Sequence, residues 1–234
     1  MMKLDYNTGD GVVELEESIF DQSFKDDIKG CIMAQKAAAK NVFSEFKPSP
    51  AAKTEVSPEA LVRILDQKRD VHGIAKDRSI SNVISFGAMH ISGSVIDDEV
   101  SLLRKKIDRR MHVIMGKIFP RERGLHTVGS GHFWYPAGAY MGWHTNSGVP
   151  GWRVYINYAE EPGKSFFRYR DPTTGKIVTL MDKEWNIRIF RIDKNIPLWH
   201  AVYSETNRFS IGYMVIKQGY YSRILKRVKR LIGR

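Results

Sequence analysis

The chain has 234 residues and a net charge of +11, with 42% hydrophobic against 27% charged residues, which suits one generous domain holding a packed core. A single cysteine, Cys31, excludes an intrachain disulfide and any multi-cysteine metal cluster, and fits a reducing cytoplasm. The first residues carry neither a basic n-region nor an apolar h-region, and no long uncharged apolar run follows, so neither secretion nor membrane spanning is expected.

Residues 27–46 show loose helical spacing at Ile28, Ile32, Ala37 and Val42, which predicts at least one N-terminal covering helix. Residues 47–58 contain three prolines among small polar residues and read as a linker or exposed loop. Ser57-Pro58-Glu59 then makes a helix cap with Pro at the first position, leading into a helix over 60–70. Residues 81–91 mix apolar and small side chains and read as a strand. The strongest helical signal is 97–118, where Val100, Leu103, Ile107, Met111 and Ile114 step by threes and fours against a charged opposite face. Its role is scaffold support. His72, His90, His112, His126 and His132 are given no ligand role.

Residues 133–158 concentrate aromatic rings, glycines and a histidine beside polar partners. Residues 133–135 and 152–158 read as strands, with turns at Pro136, Gly138 and Gly142. His144 falls at a strand edge. If the backbone is extended there, residues two apart face one side, so His144 and Asn146 converge. Residues 162–180 read as a hairpin turning around 171–175, and its Phe167, Arg168 and Tyr169 are candidates either for substrate contact or for one packed face. Residues 186–192, 198–203 and 208–217 complete the strands; His200 lies in the second, and Arg208 and Ser210 share a face of the third. Two histidines and an oxygen ligand on one face of a metal leave open positions, as in non-haem Fe(II) oxygenases. An arginine fork flanked by a hydroxyl suits one end of a dicarboxylate.

Over residues 125–217 the order His144, His200, Arg208-x-Ser210 resembles the Fe(II)- and 2-oxoglutarate-dependent oxygenases. That resemblance implies a double-stranded β-helix, jelly-roll or cupin-like core; with the N-terminal supporting helices and a C-terminal basic helix read from the sequence, the expected fold class is α+β. It makes His144, Asn146 and His200 the metal set for Fe(II), and Arg208 and Ser210 the partners of the 2-oxoglutarate tail carboxylate. Tyr135, nine residues before His144, resembles a cosubstrate-binding tyrosine of AlkB-like members. Asn146 departs from the family, which usually places a carboxylate there; an amide oxygen ligates without negative charge, so Fe(II) is held less tightly. Two-histidine sites occur in the aspartyl/asparaginyl β-hydroxylases, whose His-to-Arg spacing Arg153 resembles; the other reading of Arg153 is a solvated strand arginine. The implied activity is a hydroxylase using O2 on a protein side chain, a nucleic-acid base or a small metabolite.

The domain expectation is one unit: mainly helical support over 1–124, catalytic core over 125–217 and a basic amphipathic tail over 218–234. Seven of the positive charges lie in residues 217–234, which contain no acid. The tail is open to three readings: a helix docked on the core, a nucleic-acid contact, or a membrane-surface helix touching anionic lipid. The reading from another class is a noncatalytic basic binding protein on the same fold, contacting nucleic acid or anionic surfaces.

Overall fold

The strands at 151–159, 185–192, 200–204 and 208–217 are buried along most of their length, so both faces of each are covered, whereas 165–170 alternates buried with half-buried residues. The computed structural model describes residues 11–67, 80–87, 94–122, 124–146, 148–193 and 195–217. One sheet runs in the order β1 (Val12–Leu15), β8 (Trp185–Ile192), β5 (Gly151–Ala159), β10 (Arg208–Lys217), β3 (Leu125–Tyr135) and β2 (Ile84–Ser85). The other runs β4 (Tyr140–His144), β9 (His200–Ser204), β6 (Ser165–Arg170) and β7 (Ile177–Met181). All pairings between these strands are antiparallel. From β3 onward the chain passes back and forth between the sheets, save for the β6–β7 hairpin. That hairpin turns where Asp171 Oδ1 accepts from the Thr173 and Thr174 amides at 3.0 and 2.7 Å.

The helices are α1 (Gln22–Ala38), α2 (Lys40–Ser44), α3 (Ala52–Glu55), α4 (Pro58–Leu65) and α5 (Asp98–Ile118). Helix α5 begins where the Asp97 carboxylate accepts from the Val100 amide at 2.9 Å, with Asp98 and Glu99 favourably placed in the first turn. Its Val100, Ile107, Met111, Ile114 and Ile118 are buried, and each such side chain contributes about 1.5–3 kcal/mol. Arg110 ties α5 to α1 through Asp21 and Asp27 at 2.5 and 3.0 Å. Together α1 and α5 cover the outer face of the first sheet, meeting Trp152, Val154, Ile156, Phe209, Ile211 and Tyr213. Alternation therefore turns Arg153, Tyr155 and Asn157 of β5, and Arg208, Ser210 and Gly212 of β10, toward the second sheet. That second sheet is backed on its outer face by α3 and α4, whose Ala52, Val56, Leu61 and Ile64 pack on Tyr140, Trp143, Trp199 and Tyr203.

Three expectations change. Residues 47–58 are not a solvated linker: α3 lies within them, Ala52 and Val56 are buried, and Pro48 packs so tightly on Gly138 that a Cβ there would meet it at 2.5 Å. The N-terminal region also supplies strands, because β1 pairs with β8 and the two-residue β2 with β3. The helix after Ser57 is capped as expected, Ser57 Oγ accepting from Ala60 N at 3.2 Å, but α4 ends at Leu65. His72, His90 and the basic tail 218–234 lie outside the described residues. Among the described residues no helix is long and apolar enough to cross a membrane.

Candidate functional site

Strands β4 and β9 bring His144 directly opposite His200, with ring centroids 4.1 Å apart. The register slips between Met141 and His144, so β4 carries one extra residue there. Met141 faces the inner layer and Trp143 the α3–α4 layer, an outcome that strict alternation forbids. The bulge thus shifts His144 into phase with the inner face. Gly142 within it donates its amide to the Ile80 carbonyl at 2.6 Å.

Both imidazoles are held the same way. His144 Nδ1 lies 2.8 Å from the Gly142 carbonyl and His200 Nδ1 3.0 Å from the Leu198 carbonyl, each two residues upstream. A carbonyl only accepts, so each Nδ1 carries the proton, and in the neutral ring each Nε2 keeps its lone pair. Burial, then the neighbouring His144 and the field of Arg153, holds His200 well below the usual imidazole value against the opposing Leu198 bond, so it is neutral at pH 7. Phe167 and Phe190 pack on the His200 ring at 5.6 and 5.5 Å.

Asn146 reaches the pair by a different route from the one expected. Its φ of 54° is left-handed rather than extended, a conformation that asparagine tolerates better than most residues. This turn folds the amide back until Nδ2 donates to His200 Nε2 at 3.4 Å. Among the described residues no three His, Cys, Asp or Glu side chains cluster as a metal set. The donors available here are therefore two imidazole nitrogens and the neutral Asn146 amide.

A pocket of ≈ 350 Å³, counted to its open mouth, extends from the histidines between the sheets. Phe133, Met141, Phe167 and Val202 make its apolar wall, and Tyr135, Tyr155, Arg208 and Ser210 supply its polar groups. Arg208 is not a free cation. Its Nε donates to Asp182 Oδ2 at 2.8 Å, its guanidinium lies 5.0 Å from the centre of the Tyr135 ring, and its Nη1 is buried without a partner. Asp182 also accepts from Arg188 Nη1 at 2.5 Å and Ser165 Oγ at 2.6 Å. Burial alone would raise the Asp182 carboxyl, but Arg208 and Arg188 outweigh it and hold the group below its ordinary value.

Of the other expected residues, Tyr135 is buried, and desolvation pushes its phenol above the ordinary value, keeping it protonated. Arg153 is buried rather than solvated, donating to the carbonyls of Trp152 at 3.3 Å and Val149, and does not line the pocket. Phe167 lines the pocket and Tyr169 is buried in the inner layer, whereas Arg168 points outward, stacking on Phe166 and donating to Thr179 Oγ1 and the Val56 carbonyl. Arg168 is therefore withdrawn as a pocket contact. His132 packs in the helical layer, 2.7 Å from Gln35 Nε2, beside Cys31, whose thiol burial pushes up to about 11. Sequence reasoning missed Asp182, which sits in a strand connection with no periodic signal, and Tyr155, which reads as one aromatic among several.

No protein-family model and no curated protein matches the chain. Solved structures similar to it include a Trichoplax adhaerens prolyl hydroxylase in complex with a hypoxia inducible factor peptide fragment, at 11% identity and TM-score 0.48, covering 91% of this chain and 86% of that one. A 2OG-Fe(II) oxygenase family oxidoreductase from Burkholderia pseudomallei aligns at 12% identity and TM-score 0.45, covering 88% and 84%. A Pseudomonas putida prolyl-4-hydroxylase aligns at 10% identity and TM-score 0.44, covering 89% and 94%.

Proposed function

We propose that the chain is an Fe(II)- and 2-oxoglutarate-dependent oxygenase, a hydroxylase, built on a double-stranded β-helix. The observation that carries this reading is the pair of buried imidazoles, both anchored through Nδ1 with ring centroids 4.1 Å apart, lining a pocket that also holds an unpartnered arginine nitrogen. The successive strands from β3 to β10, which change sheets at every step but β6 to β7, support the jelly-roll connectivity.

The residues fit the metal and the cosubstrate. Neutral imidazole nitrogen is a good Fe(II) donor, and a backbone acceptor behind each ring fixes its tautomer and orientation. His144 and His200 would hold the metal, with the Asn146 amide oxygen, after rotation of the side chain, or a water as the third donor. Bound together, Fe(II) and 2-oxoglutarate supply O2 activation coupled to oxidative decarboxylation to succinate and CO2. Arg208 Nη1 and the Ser210 hydroxyl would bind the distal carboxylate, with Asp182 fixing the guanidinium from behind. The Tyr135 hydroxyl stays protonated and donates only a long bond, to Met141 Sδ at 3.9 Å, which a ligand oxygen would replace. Phe133, Met141, Phe167 and Val202 keep bulk water from the space between these two ends.

A specific observation also favours the noncatalytic alternative, namely the neutral Asn146 where a carboxylate would complete a three-ligand set. One experiment separates the two: succinate formation from 2-oxoglutarate by wild type and His200→Ala, with and without Fe(II). The oxygenase reading expects iron-dependent succinate from wild type alone. Equal yields from both proteins would remove it, and iron binding without any succinate would favour the binder.

A further inference from the structure

Asn157 is an unexplained buried group. It is 1% exposed, and neither its Nδ2 nor its Oδ1 has a hydrogen-bond partner. Burying an amide in that state is costly unless something outside the chain answers it. Its strand position says what that something touches. Asn157 of β5 is the register partner of Ser210 on β10, and both point toward the second sheet. Side chains paired in this way stand about 4.5–5.5 Å apart at Cβ, and a diagonal neighbour such as Arg208 is within reach of a long side chain. Arg208, one inward position along from Ser210, also carries an unpartnered buried nitrogen. On its other side Asn157 is paired in register with Asn186, but that amide is already used, accepting from Lys183 N at 2.9 Å and donating to the Lys183 carbonyl at 2.8 Å. Arg208 and Ser210 line the pocket, and Asn157 stands beside Ser210 on the neighbouring strand, behind that lining.

We propose that Asn157 is a third binding residue for the distal carboxylate of the cosubstrate, an inference that rests on the oxygenase reading. A carboxylate held by Arg208 Nη1 and Ser210 Oγ retains free lone pairs, and Asn157 Nδ2 supplies a neutral donor to one of them. A neutral donor suits this place. Arg208 and Arg188 already share Asp182, so another cation beside them would be repelled and another acid would compete with the ligand. The residue thereby selects 2-oxo acids that carry a second acid group.

The test uses Asn157→Leu, which keeps the volume and removes both polar atoms, and Asn157→Asp, which adds charge at the same place. Binding of 2-oxoglutarate and of 2-oxobutyrate, which lacks the distal carboxylate, is measured by calorimetry with the Fe(II) protein. Both variants are expected to weaken 2-oxoglutarate binding, the aspartate by more than tenfold and the leucine by about threefold to tenfold. Binding of 2-oxobutyrate and of Fe(II) alone should stay within about twofold. Wild type binding 2-oxoglutarate while both variants match it, or while both acids weaken equally, would overturn the role of Asn157 and leave the oxygenase reading standing. Wild type binding no 2-oxoglutarate at all would overturn both.

Discussion

Replacing Asp182 by Asn keeps the shape of the group and removes the one charge that joins β8, β10 and the β6–β7 hairpin. Its carboxylate is fully buried between Arg188 and Arg208, with Ser165 as a third donor. Arg188 retains Glu14 at 3.0 Å, but Arg208 has no second acid within ion-pair distance among the described residues. Leaving a buried arginine uncompensated costs roughly 3–5 kcal/mol. For a chain of this length that is about 6–20 °C in melting temperature, at 2–4 °C per kcal/mol. The sign with pH follows from the depressed carboxyl. Stability from a carboxyl held below its unfolded value of 3.8 is complete above that value and is lost as pH falls through the folded one. Melting curves of both proteins from pH 7 down to pH 3 should therefore show a gap that is constant until about pH 4 and narrows below it. A gap under about 2 °C at pH 7, or one that does not narrow in acid, would show that Asp182 does not carry the charge balance assigned to it.

His144→Ala and His200→Ala should each abolish Fe(II) binding to folded protein, read by iron retention after desalting; undiminished iron in both would remove the metal assignment. Arg208→Ala should weaken 2-oxoglutarate binding by about 1.5–3 kcal/mol in a calorimetric titration, and equal affinity would place the carboxylate elsewhere. Gly212→Ala should destabilise the protein and lower 2-oxoglutarate affinity, because a Cβ there would stand 2.7 Å from Tyr155 Cε1 and push that ring into the pocket; an unchanged melting curve would count against that packing. Asn146→Asp should tighten Fe(II) binding, since a full negative charge would replace an amide beside the two imidazoles; no change in iron affinity would mean that the side chain does not face the metal.

The helices and strands with unbroken periodicity were legible in the sequence. Helix α5 lies where its stepped apolar residues and acidic start put it, and the strands bearing His200, Arg208 and Ser210 fall where alternation puts them. What periodicity could not reveal is where the chain departs from it. The extra residue in β4 and the left-handed φ of Asn146 are local backbone events, and each changes which way a side chain points. Residues 47–58 look like a linker because prolines and alanines carry no periodic stripe, yet small side chains are what let α3 lie close on the second sheet. Asp182 was invisible for another reason: its importance lies in Arg188, Arg208 and Ser165, which only the folded sheets bring together.

Charge accounting joins these features into one account of the pocket. Arg208 and Arg188 are balanced by Asp182 and Glu14, so the far end of the pocket is nearly neutral before any ligand enters. The near end holds the His144 ring, the neutral His200 ring and an uncharged amide, feels the field of Arg153, and has no acid in its lining. A divalent metal and a dicarboxylate carry opposite charges of equal size, so together they enter such a site without leaving a net charge buried, whereas either one alone does not. A carboxylate at position 146 would offset part of a metal's charge; Asn146 offers none, so under the proposed reading the cosubstrate would supply that offset. If the site holds Fe(II) and 2-oxoglutarate as proposed, the neutral amide would couple the two binding events, each strengthening the other, and the orphaned donors at Arg208 and Asn157 would face the anion.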